Sequence, residues 1–152
     1  MTGCALTFLL PWLAAWHLTG HPDALALADA ARTFDVPPGV MFAIAFAETH
    51  HSPRNTEVSR RGAVGRMQVL PRAWNWQCGP VWGRSRYQPN IHCGALILRF
   101  YLSRCHEDVR CAAWHYVGGD STYARRVADR SQVYESRLRS APDAIDSPPE
   151  GS

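Results

Sequence analysis

The sequence contains no lysine, so each of its 16 basic residues is an arginine. The arginines are scattered apart from the pairs Arg60-Arg61 and Arg125-Arg126, and the net charge is only +3. A nucleic-acid-binding surface requires a basic stripe or patch, and the sequence shows none. Nucleic acid is therefore not predicted as a partner, while the slight positive balance suits an anionic polymer.

Metal-binding signatures are also missing. The sequence has no H-E-x-x-H pattern and no C-x-x-C pair, which argues against a zinc site. Internal repeats are absent and strand signals are scarce. With 152 residues, of which 46% are hydrophobic, the chain is expected to form one mainly helical domain around one core, without a metal or cofactor.

Five cysteines are present, and four of them lie outside the N-terminal segment that holds Cys4. An even number in a small domain predicts two disulfides in an oxidising compartment. Three pairings are possible. The pairs Cys78–Cys93 and Cys105–Cys111 are favoured because each closes a short local loop.

The N-terminal residues resemble an export signal. Residues 3–19 are largely apolar, and Ala26-Leu27-Ala28 forms an A-x-A cleavage pattern. The positive n-region is missing, because no basic residue precedes Arg32. Residues 1–28 are therefore interpreted as a signal peptide or an N-terminal anchor. Together with the cysteines, they predict an exported protein of the periplasm or cell envelope.

Apolar residues at helical spacing predict six helices within a domain of residues 29–140. Asn90 and Ser121 are predicted to cap two of them. The polar, proline-rich residues 141–152 predict a disordered tail. The predicted helices span Asp29–Asp35, Pro38–His50, Pro71–Trp76, Ile91–Cys105, a segment through Cys111–Trp114 that Gly118 ends, and a segment from Ser121 through Leu138.

Glu48 closes the second predicted helix, which is apolar nearly all round. Such a helix is usually buried. A carboxylic acid beside apolar side chains tends to keep its proton at neutral pH, and this proton can be donated to a leaving oxygen. Glu48 is thus the candidate general acid.

Four segments together resemble the lytic transglycosylase domain, which has a goose-type-lysozyme-like fold. The resemblance covers residues 30–138 and implies a mainly α, lysozyme-like domain with a substrate groove and little or no β structure. Its motifs are the helix that ends in Glu48, Ser59-x-x-Gly-Ala-x-Gly-x-Met-Gln-x-x-Pro71, Asn90-Ile-x-x-Gly94 and Ala112-Ala113-Trp114.

The resemblance implies cleavage of the β-1,4 bond between N-acetylmuramic acid and N-acetylglucosamine in peptidoglycan, with Glu48 as the single acid and base and a 1,6-anhydromuramyl product. Two alternatives stay open: a hydrolysing muramidase on the same fold, and a catalytically impaired glycan-binding component of a wall-spanning machine. The implied partners are glycan strands, acted on by a bacterial or phage-encoded monomer. Secretion, conjugation and phage machines are the contexts that small family members often serve.

The resemblance also implies a set of substrate-binding residues, and two positions depart from its pattern. Trp114 stands where the family usually has tyrosine, so Trp114 or Tyr116 is expected to take that place. Arg66 replaces the usual leucine and is expected to face solvent or to contact a stem-peptide carboxylate. Ser59 has loop capping as its alternative role. The implied set is Ser59, Gln68, Leu70, Asn90, Ala113, Trp114 and Tyr116.

Overall fold

A computed structural model of the protein describes residues 23–50, 58–82 and 88–140. The predicted tail at 141–152 and most of the predicted signal peptide or anchor lie outside these ranges. None of the helices in the described part of the chain combines the length and the apolar composition of a bilayer span.

The described residues form six helices, which confirms the mainly helical prediction. Their only β pairing consists of two isolated bridges, Val58–Val64 and Val64–Val69, in the loop before α3. The helices are α1 (Ala24–Phe34), α2 (Pro38–Thr49), α3 (Pro71–Trp82), α4 (Gln88–Arg104), α5 (Val109–Val117) and α6 (Ser121–Ser140).

Local sequence signals explain where α2 and α5 begin and end. Proline occupies the first position of α2, and His50 ends the helix in the left-handed conformation with φ 47°. The Asp108 carboxylate accepts a hydrogen bond of 2.7 Å from Cys111 N and caps α5. Gly118 ends α5 with φ 85°. Both predicted ends of α2 are confirmed to within one residue. The predicted end of α5 at Gly118 is confirmed as well.

Other helix bounds differ from the prediction. The first helix begins at Ala24 instead of Asp29, and the predicted domain start at residue 29 therefore falls inside it. Ala24, Leu27 and Ala28 of its first turns are buried in the core. The A-x-A pattern of Ala26-Leu27-Ala28 lies within this helix, because small apolar residues suit both a peptidase and a buried helix.

Three further corrections concern helix ends. The third helix extends six residues beyond Trp76. The fourth helix begins at Gln88, so Asn90 lies within its first turn and is not its cap. The sixth is capped by Asp120, whose carboxylate accepts a hydrogen bond of 2.9 Å from Tyr123 N, and not by Ser121.

Helix α2 lies at the centre of the core and packs against α1 and α6. Its side chains from Val40 to Ala45 have almost no exposed surface, and burying each large apolar side chain contributes roughly 1.5–3 kcal/mol. A Cβ on Gly39 would lie 2.5 Å from Ser131 O, so only glycine allows α6 to approach this closely. The Glu135 carboxylate accepts a hydrogen bond of 2.6 Å from Gly39 N at the same contact.

Both predicted disulfides are confirmed. Cys78–Cys93 joins α3 to α4. Cys105–Cys111 joins the end of α4 to α5. The two bonds tie α3, α4 and α5 into one unit.

The prediction for Arg66 was wrong, because this side chain is 1% exposed and faces neither solvent nor a free surface. Its Nε donates a hydrogen bond of 2.5 Å to Asp23 Oδ2, and its Nη1 donates one of 2.9 Å to Thr49 Oγ1. A buried charge requires a partner of opposite sign. Asp23, just before α1, supplies it, and the hydrogen bond to Thr49 ties the loop before α3 to the end of α2.

Candidate active site

Glu48 lies in the last turn of α2 and is half-buried. Its Oε1 accepts a hydrogen bond of 2.6 Å from the hydroxyl of Tyr123, which lies in the first turn of α6. The close packing of α2 on α6 brings these two residues together, although 75 positions separate them in sequence.

Burial raises the pKa of Glu48 above its ordinary value of 4.5, and the hydrogen bond from Tyr123 opposes this rise to a smaller extent. Burial disfavours the charged carboxylate, whereas a donated hydrogen bond stabilises it. Glu48 is therefore an acid that keeps its proton to higher pH, beside a donor that stabilises the anion once the proton has left.

Two tyrosines remain protonated beside Glu48. Burial is the main cause that raises the pKa of Tyr116 and Tyr123 well above 10.0, and the charge on Glu48 raises both further. The Tyr116 hydroxyl donates a hydrogen bond of 2.7 Å to Met67 O. Tyr116 thus anchors the loop before α3, while Tyr123 is the tyrosine that contacts the acid.

The hydroxyl beside Glu48 therefore belongs to neither of the two residues considered from the sequence. Trp114 is 41% exposed, and its ring packs edge-on against His115, with centroids 4.9 Å apart. Tyr123 lies within the last predicted helix and is not among the residues that the family resemblance implies for the site. Its position four residues after Gly119 places it in the first turn of that helix but does not reveal a partner on α2.

Residues 58–70 form a loop, here called the glycine loop, whose turns are closed by predicted site residues. Ser59 Oγ accepts a hydrogen bond of 3.0 Å from Ala63 N. Gln68 adopts φ 45°, and its Nε2 donates a hydrogen bond of 2.9 Å to Gly65 O. Ser59 therefore has the loop-capping role that was its alternative, and contacts of Ser59 and Gln68 with a substrate remain predictions.

Asn90 holds the glycine loop against α4. Its Oδ1 accepts a hydrogen bond of 2.8 Å from Met67 N, and its Nδ2 donates one of 2.6 Å to Val64 O. The two surfaces are close: a Cβ on Gly65 would lie 2.5 Å from Asn90 Cγ, and one on Gly94 would lie 2.6 Å from Met67 Cβ. Both glycines are therefore required for this contact.

The remaining predicted substrate-binding residues differ in exposure. Leu70 is 38% exposed at the end of the glycine loop, where an apolar ligand surface can reach it. Ala113 is completely buried in α5, so its side chain offers no surface to a ligand.

A depression of about 340 Å³ lies between α2 and α6. Tyr123 forms part of its wall. Glu48 is not among the residues that line this depression, so the depression is connected to the acid through Tyr123, whose hydroxyl bonds Glu48 Oε1.

A family model described as "Transglycosylase SLT domain" matches residues 26–137. The match contains Glu48, the glycine loop, Asn90 and both tyrosines. Comparison of the chain with curated proteins and with solved structures finds no significant match.

Proposed function

We propose that this chain, which belongs to the transglycosylase SLT domain family, is a peptidoglycan lytic transglycosylase. It cleaves the β-1,4 bond between N-acetylmuramic acid and N-acetylglucosamine and leaves a 1,6-anhydromuramyl product. The observation that carries this proposal is the half-buried Glu48 with its raised pKa, hydrogen-bonded to the Tyr123 hydroxyl.

Glu48 acts first as an acid. It donates its proton to the glycosidic oxygen, the bond from C1 to that oxygen breaks, and positive charge develops at C1. Burial favours the protonated form that this step consumes. The Tyr123 hydroxyl stabilises the carboxylate that the step leaves behind.

The same carboxylate then acts as a base. It takes the proton from the muramyl C6 hydroxyl while the C6 oxygen attacks C1 and closes the anhydro ring. Glu48 is protonated again at the end, so the reaction consumes no water. A single carboxylate suffices because both proton transfers occur on the same side of the sugar, whereas a hydrolase that activates water needs a second carboxyl group.

The predicted substrate contacts divide into two groups. Leu70 and Trp114 are exposed and remain proposed contacts for the glycan. Ser59, Gln68, Asn90 and Tyr116 hold the glycine loop by their own hydrogen bonds. We assign these four a positioning role first, and contacts of Gln68 with a sugar acetamide or hydroxyl remain part of the proposal.

The protein is proposed to act in the periplasm or cell envelope. Its two disulfides persist in oxidising compartments, and peptidoglycan lies outside the cytoplasmic membrane. Action as a monomer, and service to a secretion, conjugation or phage machine, are predictions from the family resemblance.

The decisive experiment measures the mass of the products released from purified sacculi by the pure protein. A lytic transglycosylase releases anhydromuropeptides that are lighter by one water than the products of hydrolysis. We expect Glu48→Gln to abolish release, because the amide cannot donate a proton. Glu107→Gln is the matched control, because Glu107 is exposed and pairs with Arg99.

Each other outcome points to an alternative. Products that carry the additional water would identify a hydrolysing muramidase. Strand binding without release by the native protein would identify a glycan-binding component. Release by Glu48→Gln equal to that of the native protein would refute the assigned role of Glu48.

A further inference from the structure

The depression that is lined by Tyr123, the hydrogen-bond partner of Glu48, carries positive charge that the cleavage chemistry does not use. Two arginines of α6, Arg126 and Arg130, form part of its wall. A second depression, of about 350 Å³, continues along α6 and is lined by the same two arginines together with Arg137. Arg126 and Arg130 therefore mark the boundary between two adjoining cavities, the first of which reaches Tyr123.

Neither arginine is committed to an ion pair in the described part of the chain. Arg126 is exposed and has no carboxylate there within ion-pairing distance. The guanidinium carbon of Arg130 lies 3.5 Å from the centre of the Phe46 ring, which keeps the cation at the surface of the depression.

Acidic groups of the two cavities only partly offset these charges. Asp120 lines the first cavity, and its Oδ1 already accepts the hydrogen bond from Tyr123 N. Asp129 lines the second cavity together with three arginines of the same helix. His50, at the end of α2, also lines the first cavity.

We propose that Arg126 and Arg130 bind a carboxylate of the stem peptide carried by the muramyl residue whose C1 is cleaved. This rests on the proposed function. Guanidinium groups bind carboxylates through paired, charge-assisted hydrogen bonds. The stem peptide is attached to the same sugar that reacts at Glu48, so it must leave the site within a few ångströms of the acid.

The distance along α6 fits this assignment. Tyr123, Arg126 and Arg130 follow one another at spacings of three and four residues, which places them on one face of the helix. At 1.5 Å per residue, Arg130 lies about 10 Å along the axis from Tyr123. Three extended residues of a stem peptide span roughly the same distance. The protein is thus built to prefer strands that carry stem peptides over strands from which an amidase has removed them.

The test compares kcat/KM on peptide-bearing strands with kcat/KM on amidase-stripped strands. For Arg126→Gln with Arg130→Gln, we expect the ratio of the two values to fall by about tenfold or more, as the loss of charged hydrogen bonds implies. The matched control is Arg125→Gln with Arg139→Gln, which removes the same charge from exposed positions of α6 outside both cavities and is expected to leave the ratio unchanged.

Two further variants separate binding from folding. Arg126→Gln alone leaves the Arg130–Phe46 contact in place and is expected to lower the ratio without lowering the melting temperature. Arg130→Lys keeps the charge, so it is expected to lower the ratio less than Arg130→Gln does. Amidation of the stem carboxylates is expected to reproduce the loss with the native protein, which identifies the carboxylate as the bound group.

An unchanged ratio, whether both kcat/KM values stay the same or both fall equally, would overturn the stem-peptide site while leaving the proposed cleavage intact. Binding of Glu48→Gln protein to soluble strands provides a test that is independent of cleavage. Addition of Arg126→Gln to that protein is expected to weaken its binding to peptide-bearing strands selectively. Unchanged binding there overturns the proposal even if the native protein cleaves neither substrate.

Discussion

At the scale of single residues, two opposing effects adjust the acidity of Glu48. Burial raises its pKa, and the hydrogen bond from Tyr123 partly reverses this rise. A group that must donate a proton and then recover it works best when neither form is strongly favoured. The balance depends on one hydroxyl group, so it can be tested by removing that group.

We predict that Tyr123→Phe moves the alkaline limb of the pH–activity profile to higher pH. The variant keeps the burial and loses the hydrogen bond that lowers the pKa of Glu48, so the pKa rises further and the acid stays protonated to higher pH. The carboxylate left after the first step is also less stable, so kcat/KM is expected to fall roughly tenfold. The profile of kcat/KM against pH measures both effects.

Tyr134→Phe is the control for this prediction. Tyr134 is buried in the same helix, packs against Phe42 and forms no hydrogen bond with Glu48. It should leave the limb in place. If the alkaline limb of the pH–activity profile of Tyr123→Phe is unchanged or moves to lower pH, the tyrosine does not stabilise the Glu48 carboxylate.

At the scale of elements, the position of the glycine loop depends on α4 and α5. Asn90 bonds two backbone groups of the loop, and Tyr116 bonds a third. The disulfide Cys105–Cys111 connects the two helices that carry these side chains. The loop is irregular, yet three helix-borne contacts fix its backbone beside the active site.

We predict that Asn90→Ala destabilises the protein by about 2 kcal/mol or more, because Met67 N and Val64 O lose their partners. The activity should fall together with the stability, because the same residue, Met67, also accepts the hydrogen bond from the Tyr116 hydroxyl and the loop backbone there loses one of its two anchors. Chemical denaturation measures the first effect, and release of product from sacculi measures the second. The exposed Asn75 of α3 supplies the control Asn75→Ala. Losses no larger than those of the control would show that the loop holds its position without Asn90.

At the scale of the whole molecule, the folded domain begins before the residue that the sequence suggested. Asp23 and the first turns of α1 are part of the core, and Asp23 neutralises Arg66. Removal of one partner of a buried ion pair leaves an uncompensated charge and costs about 3–5 kcal/mol.

We predict that a chain starting at Asp29 is much less stable than one starting at Gly20. The shorter chain lacks both Asp23 and the buried Leu27, so the cost of the unpaired Arg66 adds to a loss of about 2 kcal/mol or more of apolar burial. Urea unfolding of the two chains measures the difference. Asp23→Asn in the longer chain isolates the ion pair, and equal stability of both chains would contradict the assignment of residues 23–28 to the core.

Local patterns in the sequence were sufficient for several features. The bounds of α2 follow from a proline at its start and an apolar run, and the end of α5 follows from Gly118. The disulfides follow from short separations between cysteines, and the candidate acid follows from its place at the end of a buried helix. Each of these depends on interactions between residues close together in the chain.

Only the tertiary structure identified the partners of the important polar groups. Glu48 meets Tyr123 across 75 positions, and Arg66 meets Asp23 across 43. The sequence gives no sign of either partner: Tyr123 lies at helical spacing in the last predicted helix, and Arg66 was expected to face solvent or to contact a stem-peptide carboxylate. Helix formation is governed by neighbours within a few residues, whereas these pairs exist because α2 docks on α6 and the glycine loop packs against the start of α1, which no local pattern encodes.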